Sequence, residues 1–198
     1  MALGRPRAFD MDEALDRALQ VFWRRGYEGA SIAELTQAMG IAPPSLYAAF
    51  GNKEGLFRKV LERYITVRTK FWDEALAAPT ARGMIERLLH GTADFMTDAC
   101  NPPGCLLVRG TVACSDMAQD VHQELIARRR EGERMVCERL LAAKNAGELP
   151  ADVDAADLAC FFATVLEGMS VHAAGGATRE DLHTVADVAL RVWPAPAG

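Results

Sequence analysis

The apolar residues of this chain recur every three or four positions, and short segments containing Gly and Pro separate these periodic stretches. Such spacing places apolar side chains on one face of an α-helix. The first stretch runs from Asp10 or Met11 to Arg25, and Gly26 follows it. Glycine is common just past a helix end because it tolerates a positive φ. The predicted core-facing stripe of this helix comprises Ala14, Leu15, Ala18, Leu19, Phe22 and Trp23.

The next segment, SIAELTQAMGIAPPSLYAAFGNK, starts at Ser31 and predicts two short helices joined by a tight turn. Ser31 and Glu34 have the spacing of a capping box, in which each side chain bonds a free backbone N–H of the helix start. The Pro43–Pro44 pair suits the first turn of the following helix, because N–H groups there have no intrahelical partner. That helix is predicted to end near Phe50. The pattern is that of a helix-turn-helix, whose second helix enters the major groove of DNA.

The rest of the chain predicts further helices with clear breaks between them. A capped fourth helix is expected from residue 53 to about residue 77, where Pro79 stops it. An apolar piece at residues 105–115 can be mistaken for a strand, because it contains the β-prone run LLV. The other predicted helices are residues 80–99, 117–146, 154–174 and 178–192.

These elements predict an all-α protein of about nine helices. An N-terminal three-helix DNA-binding module with the helix-turn-helix is assigned to residues 1–52. A larger helical domain is assigned to residues 53–198.

The net charge of −5 at first argues against a nucleic-acid partner. Its distribution changes that interpretation. Residues 1–70 hold 11 Lys and Arg against 8 Asp and Glu, whereas residues 71–198 hold 11 against 19. This asymmetry fits a DNA-reading end attached to an acidic body.

Composition also bears on location. No apolar run approaches the roughly 20 residues needed to span a bilayer, and the N-terminus lacks the apolar core of a secretory signal. The five cysteines make an odd count, which favours reduced thiols in the cytoplasm. We therefore expect a cytoplasmic protein without membrane contact.

The sequence carries no pattern of an enzyme. Paired catalytic carboxylates, a nucleophile elbow and a Gly-rich phosphate loop are all missing. No pair of cysteines has zinc-ligand spacing, and the histidines are scattered. We expect neither enzymatic activity, nor a metal, nor a cofactor. The four histidines are His90, His122, His172 and His183.

The cysteines raise the question of redox sensing. Cys100 and Cys105 flank the tetrapeptide NPPG, so they can come close. Reactive thiolates need nearby Lys, Arg or His, and only Arg109 follows Cys105 closely. A packing role is therefore favoured for the cysteines. The five are Cys100, Cys105, Cys114, Cys137 and Cys160.

Residues 9–57 resemble the TetR family of transcriptional regulators. The resemblance rests on RRGYEGAS at the end of the first helix, followed by IAELTQAMGIAPPSLYAAFGNKEGLF. This combination is specific because a helix precedes the helix-turn-helix and a capped helix follows it. The phrase NPPGCLLV resembles a subset of the family. The resemblance implies a homodimeric, all-helical repressor or activator with a palindromic operator and, usually, a pocket for a small inducer.

The resemblance also implies which residues touch DNA. Family positions matching Ser45, Tyr47 and Ala48 contact DNA, and the tyrosine bonds a phosphate. Ala48 and its neighbour Ala49 can only pack against a thymine methyl, so specificity is expected to depend on Ser45, the N-terminal arm and DNA shape. The predicted DNA-binding residues are Arg5, Arg7, Ser31, Pro43, Pro44, Ser45, Tyr47, Ala48 and Lys53.

Three of these assignments keep a structural alternative. Lys53 and the amides at its helix start form an expected phosphate site, but a solvated lysine fits too. Tyr47 is alternatively a half-buried structural residue. The arm carrying Arg5 and Arg7 either enters the minor groove or stays unengaged.

The later helices supply candidates for a pocket and a dimer seam. Their apolar faces fit monomer core as well, and the resemblance favours a four-helix seam between two subunits. Predicted pocket residues are Trp72, Met84, Leu88, Phe95, Met96, Leu106, Arg109, His122 and Ile126. Predicted seam residues are Leu158, Phe161, Phe162, Val165, Met169, Leu182, Val185, Ala189 and Trp193.

The favoured function is a ligand-responsive regulator, a repressor released from a palindromic operator by a small-molecule inducer. Two alternatives stay open. One is a regulator of the same fold that senses thiol oxidation. The other is a helical interaction protein that has lost DNA binding, which the alanines at positions 48 and 49 allow.

Overall fold

The computed structural model describes residues 9–112 and 119–194, and all regular structure in those ranges is helical. The predicted all-α class is confirmed. The β-prone run LLV, residues 106–108, lies in a helix. The helices are α1 (Met11–Gly29), α2 (Ile32–Met39), α3 (Pro43–Phe50), α4 (Lys53–Leu76), α5 (Ala81–Met96), α6 (Leu106–Val112), α7 (Gln119–Asn145), α8 (Ala155–Ala174) and α9 (Arg179–Leu190). Within the same ranges, no helix is both long and apolar enough to cross a membrane.

The helices form two compact units, and the division falls inside α4, between Thr66 and Val67. The packing division therefore lies later than residue 52, where the sequence placed the functional boundary. The first part of α4 belongs to the core of the N-terminal unit because its apolar side chains are buried there. Leu56, Phe57, Val60 and Leu61 are all at most 1% exposed.

Aromatic contacts between α1 and α4 form the centre of the first unit. The ring of Phe22 meets that of Phe57 edge-on at 5.0 Å between centroids. Trp23 meets Tyr64 in the same way at 4.8 Å. These four side chains are almost completely buried, so they fix the position of α4 against α1.

Two local features of α1 follow from the sequence. Its N-cap is Asp10, whose carboxylate accepts hydrogen bonds from the amides of Asp12 and Glu13. Gly26 has φ 71° and interrupts the helical conformation, as expected for the glycine that ends this helix. On the surface, the guanidinium of Arg63 in α4 bonds the carboxylates of Asp12 and Asp16.

The second unit is built around α5. Its apolar face is fully buried, and α8 and α9 both pack against this helix. The longest helix, α7, packs on α8, and Arg129 and Glu167 form an ion pair between the two. The amide of Cys105, just before α6, donates to Ser170 Oγ of α8 at 2.8 Å. This bond satisfies a backbone donor that is otherwise buried.

The cysteines do not all pack as predicted. Cys105 is buried, Cys137 is half-buried, and Cys100 and Cys160 are exposed. The prediction of a packing role is therefore wrong for the two exposed thiols. Cys100 lies in the loop after α5 and Cys160 on the outer face of α8, where no neighbour covers them. Cys114 lies outside the described residues.

Candidate nucleic-acid interface

The start of α2 is capped by Ser31, whose Oγ accepts a hydrogen bond from the Glu34 amide at 3.1 Å. The second half of the predicted capping box is not formed. Instead, Glu34 Oε1 lies 3.3 Å from Nε of Arg25 in α1. The carboxylate thus joins two helices rather than closing back on its own helix start, since a cation is within reach.

Gly40 makes the turn between α2 and α3. It adopts the left-handed conformation, with φ 69°, and its amide bonds the last carbonyls of α2. A side chain at this φ is strained. After the turn, Pro43 and Pro44 form the first turn of α3, where no side chain caps the helix. Met39 and Leu46 are buried on the two sides of the turn, so apolar packing fixes α3 against α2.

The outward face of α3 carries the residues predicted to read DNA. Tyr47 is 48% exposed, while Leu46 points into the core. Ser45 is half-buried, which limits the surface it offers to a base. The exposed side chains of this helix are Pro43, Pro44, Tyr47, Ala48 and Ala49. Among these five exposed side chains, the Tyr47 hydroxyl is the only polar group.

Lys53 begins α4, next to the capped helix start. The side chain of Asn52 accepts a hydrogen bond from the Gly55 amide at 2.7 Å. Lys53 Nζ lies 4.7 Å from the centroid of the Tyr27 ring and donates to the Glu28 carbonyl at 3.4 Å. Partial burial lowers the pKa of Lys53, an effect that the nearby Glu28 charge partly offsets. The ammonium is therefore held in place rather than free in solvent.

Arg5 and Arg7 lie outside the described residues, so their predicted place in a minor groove stays a prediction. Ser31 and Lys53 begin two successive helices of the N-terminal unit, and α3 lies between them in sequence. The unit thus combines one exposed helix with two capped helix starts, and capped helix starts attract phosphate.

The predicted pocket residues differ in their burial. Met84, Leu88 and Leu106 are fully buried, and Trp72 and Met96 nearly so. Arg109, His122 and Ile126 are half-buried.

Phe95 is the predicted residue that lines an open cleft of about 630 Å³ in the second unit. Much of the cleft's lining is charged, which the apolar pattern used for the prediction does not detect. The charged residues are Lys70, Glu74, Asp94, Asp98 and Arg179.

The predicted seam residues divide into two groups. Leu158, Phe162, Met169, Leu182 and Ala189 are buried within the single chain and belong to its own core. Phe161 and Val185 are exposed, while Val165 and Trp193 are half-buried. The sequence missed Val188, and Val192 lies on the apolar face it predicted for the last helix; the two are 52% and 54% exposed. With Phe161, Val165 and Val185 they line an almost wholly apolar groove of about 320 Å³.

Comparison with known proteins identifies the family. Residues 14–60 match the family described as bacterial regulatory proteins of the tetR family. Residues 79–187 match a C-terminal domain described as tetracyclin repressor-like. The chain belongs to the TetR family. It is a helix-turn-helix transcriptional regulator, and the regulators of this family are typically dimeric and ligand-responsive.

Individual relatives agree with this TetR assignment. The chain is 36% identical to the HTH-type transcriptional repressor ComR of Escherichia coli K12, over 96% of this chain and 92% of that protein. It is 33% identical to the repressor BdcR of the same organism over 60% of each protein. A cysteine mutant of the TetR family regulator CifR, solved with 26 bp operator DNA, is 48% identical with a TM-score of 0.92, covering 96% of this chain and 100% of that one.

Sequence reasoning assigned no role to Tyr27. Its ring packs against Phe22 and Phe57 and also lies under the Lys53 ammonium. A Gly-Tyr dipeptide before the helix-turn-helix was visible in the sequence, but nothing local indicates that a lysine further along the chain covers the ring. Tyr27 therefore helps to hold the Lys53 ammonium in place at the start of α4.

We expect Tyr27→Leu to weaken operator binding about two- to fivefold, because the cation–π contact is worth roughly 0.5–1 kcal/mol. Tyr27→Phe keeps the ring and should bind like the wild type. Fluorescence anisotropy with a labelled operator duplex measures the dissociation constant of each variant.

A double-mutant cycle separates positioning from folding. In a Lys53→Ala background, Tyr27→Leu should add almost no further loss of affinity, because the charge that the ring positions is gone. If Tyr27→Leu weakens binding equally in both backgrounds, Tyr27 acts through the core of the unit and not through Lys53.

Proposed function

We propose that this protein is a transcriptional repressor that binds a palindromic operator as a homodimer and leaves it when a small molecule binds. The observation that carries the proposal is the exposed α3 helix, with Tyr47 projecting from it and with capped helix starts before and after it in sequence. Repression is the activity named for ComR and BdcR. Such a protein acts in the cytoplasm, where bacterial DNA is.

The charge and hydrogen-bond donors of this surface favour phosphate contact over base reading. Lys53, the Tyr47 hydroxyl and the amides following Ser31 all suit phosphate oxygens. Ala48 and Ala49 offer methyl groups alone. We therefore propose that the protein finds its operator through thymine methyls, Ser45 and DNA shape, with phosphates supplying most of the affinity.

The second unit is the proposed site of effector binding. Its open cleft joins two aromatic rings, Phe71 and Phe95, whose centroids are 5.5 Å apart, to a charged rim. Aromatic walls with a few polar groups are the usual composition of a small-molecule site. We propose this cleft, which includes Phe95 of the predicted pocket residues, as the effector site.

A second copy of the chain is the proposed occupant of the groove on α8 and α9. Exposed apolar rows of this kind are unusual on a monomer and mark interfaces. A two-fold axis brings the same groove of both subunits together, so the apolar rows cover each other. Four helices then form the seam.

Thiol-oxidation sensing remains the second candidate. The observation that favours it is the exposure of Cys100 in the loop between α5 and α6. A variant with all five cysteines replaced by Ser separates the two signals, since it should keep a response to a small molecule and lose a response to peroxide.

We expect operator affinity to fall steeply with salt, because each phosphate contact contributes a slope of about 0.9 in log affinity against log salt. Tyr47→Phe removes one hydrogen bond of about 1 kcal/mol and should weaken binding roughly fivefold on every sequence. Lys53→Ala should lower the salt slope by about one. Anisotropy titrations at several salt concentrations measure all three effects.

The control duplex has the same length and composition in scrambled order. Tyr47→Phe and Lys53→Ala should weaken binding to both duplexes by the same factor. A change in the ratio between the duplexes would assign sequence reading to that residue, and a complex insensitive to salt would contradict the phosphate account.

Val188→Glu should raise the dimer dissociation constant at least about a hundredfold, because it places an unpaired carboxylate in each half of the seam. Sedimentation equilibrium measures the constant. Leu141→Glu is the matched control, since Leu141 is 47% exposed but lies on α7. If both variants stay dimeric, the seam lies elsewhere.

A further inference from the structure

Two histidines from different helices meet in the second unit. His90 lies on α5 and His183 on α9, and their Nδ1 atoms are 2.7 Å apart. The ring centroids are 4.9 Å apart, and both side chains are about two-thirds buried, with exposures of 28% and 30%. The contact is a direct polar link between α5 and α9.

The other nitrogen of each ring faces a carboxylate. His183 Nε2 lies 2.6 Å from Asp94 Oδ1, and His90 Nε2 lies 3.3 Å from Asp187 Oδ1. Arg179 Nε also donates to Asp94 Oδ1, at 2.7 Å. The side chains therefore form a continuous row from one carboxylate, through both rings, to the other carboxylate.

This row fixes the number of protons on the pair. A carboxylate accepts hydrogen bonds, so His183 Nε2, at 2.6 Å from Asp94, carries a proton, and the nearby Asp187 carboxylate favours a proton on His90 Nε2 as well. With no further proton, two Nδ1 lone pairs face each other and repel. With one, the nitrogens share an N–H···N hydrogen bond, which fits 2.7 Å. With two, the N–H groups of His90 and His183 collide, and two cations lie side by side.

We propose that His90 and His183 form a one-proton latch between α5 and α9, which opens when acidification protonates the second ring. Histidine is the side chain whose charge ordinarily changes between about pH 5 and 8. The contact that breaks is the Nδ1···Nδ1 bond. The proton that breaks it comes from solvent, because both rings are partly exposed.

The groups around Asp94 favour its ionised form. Burial raises the pKa of Asp94, but the hydrogen bonds and charges of His183 and Arg179 outweigh it and hold this pKa below its usual range. Asp187 is largely exposed. In the same cleft, α4 presents Lys70 and Glu74, and Asp98 follows α5.

The latch connects to the proposed function through α9. This helix also carries the exposed Val185 and Val188 of the proposed dimer seam, and Val192 follows its end. It contributes Arg179 to the proposed effector cleft as well. Loosening α9 from α5 therefore changes the seam and the cleft together, which is how a local protonation becomes a regulatory signal. This consequence, unlike the latch itself, rests on the proposed function.

Hydrogen exchange of residues 179–190 in the full-length protein tests the latch. After correction for the intrinsic effect of pH, opening of α9 should be least where the pair holds one proton, and should increase as pH falls below that point toward 5.5, by up to about tenfold per pH unit for one linked proton. His90→Asn places an amide near the lost Nδ1, and an amide bonds either form of His183. In this variant, the opening of α9 should change less than about twofold between pH 7.5 and 5.5.

His172→Asn is the matched control, because His172 is exposed on α8; it should behave like the wild type. Nitrogen-15 NMR of the imidazoles needs no variant and should show one proton shared between the two Nδ1 atoms at pH 7.5. A flat wild-type profile, an equal slope in His90→Asn, or two independently titrating rings would overturn the latch.

Two further measurements distinguish the latch from a bound metal and from the proposed function. Protection of α9 by stoichiometric Zn²⁺ in the wild type, but not in His90→Asn, would show that a metal bridges the nitrogens and would replace the proton latch. Operator binding of His90→Asn at pH 7.5 should equal that of the wild type. A failure of operator binding in the wild type counts against the proposed function and leaves the latch intact.

Discussion

The edge-to-face packing of Phe22 on Phe57 and of Trp23 on Tyr64 is the constraint on which the DNA-facing unit depends. It fixes the start of α4, and therefore Lys53, against α1. Gly26 then kinks α1, and the Tyr27 ring lies beneath the Lys53 ammonium. A buried aromatic cluster, and not surface charge alone, thus positions the lysine that we propose to bind phosphate beside the helix-turn-helix.

Local signals explain how far the sequence predicted this unit. A capping serine, a turn glycine and two prolines each act within a few residues, so the ends of α2 and α3 followed from Ser31, Gly40 and Pro43. The capping box failed at Glu34 for a tertiary reason, because Arg25 of another helix lies within reach of the carboxylate.

Tertiary partners explain what the sequence could not predict. Helical periodicity shows that α8 and α9 have apolar faces, but it does not show that Phe162 meets its own chain while Val188 faces outward. His90 and His183 are 93 positions apart and looked scattered, although their rings touch. In both cases the neighbour, and not the spacing, determines the role of the side chain.

The central claim is that α3 and the starts of α2 and α4 form the DNA-contacting surface. Amide hydrogen exchange with and without operator duplex tests it most directly. The account predicts that operator slows exchange in peptides spanning residues 31–34 and 43–55, with scrambled duplex giving much weaker protection. Unchanged exchange in those peptides, with protection confined to other surfaces of the chain, would contradict it.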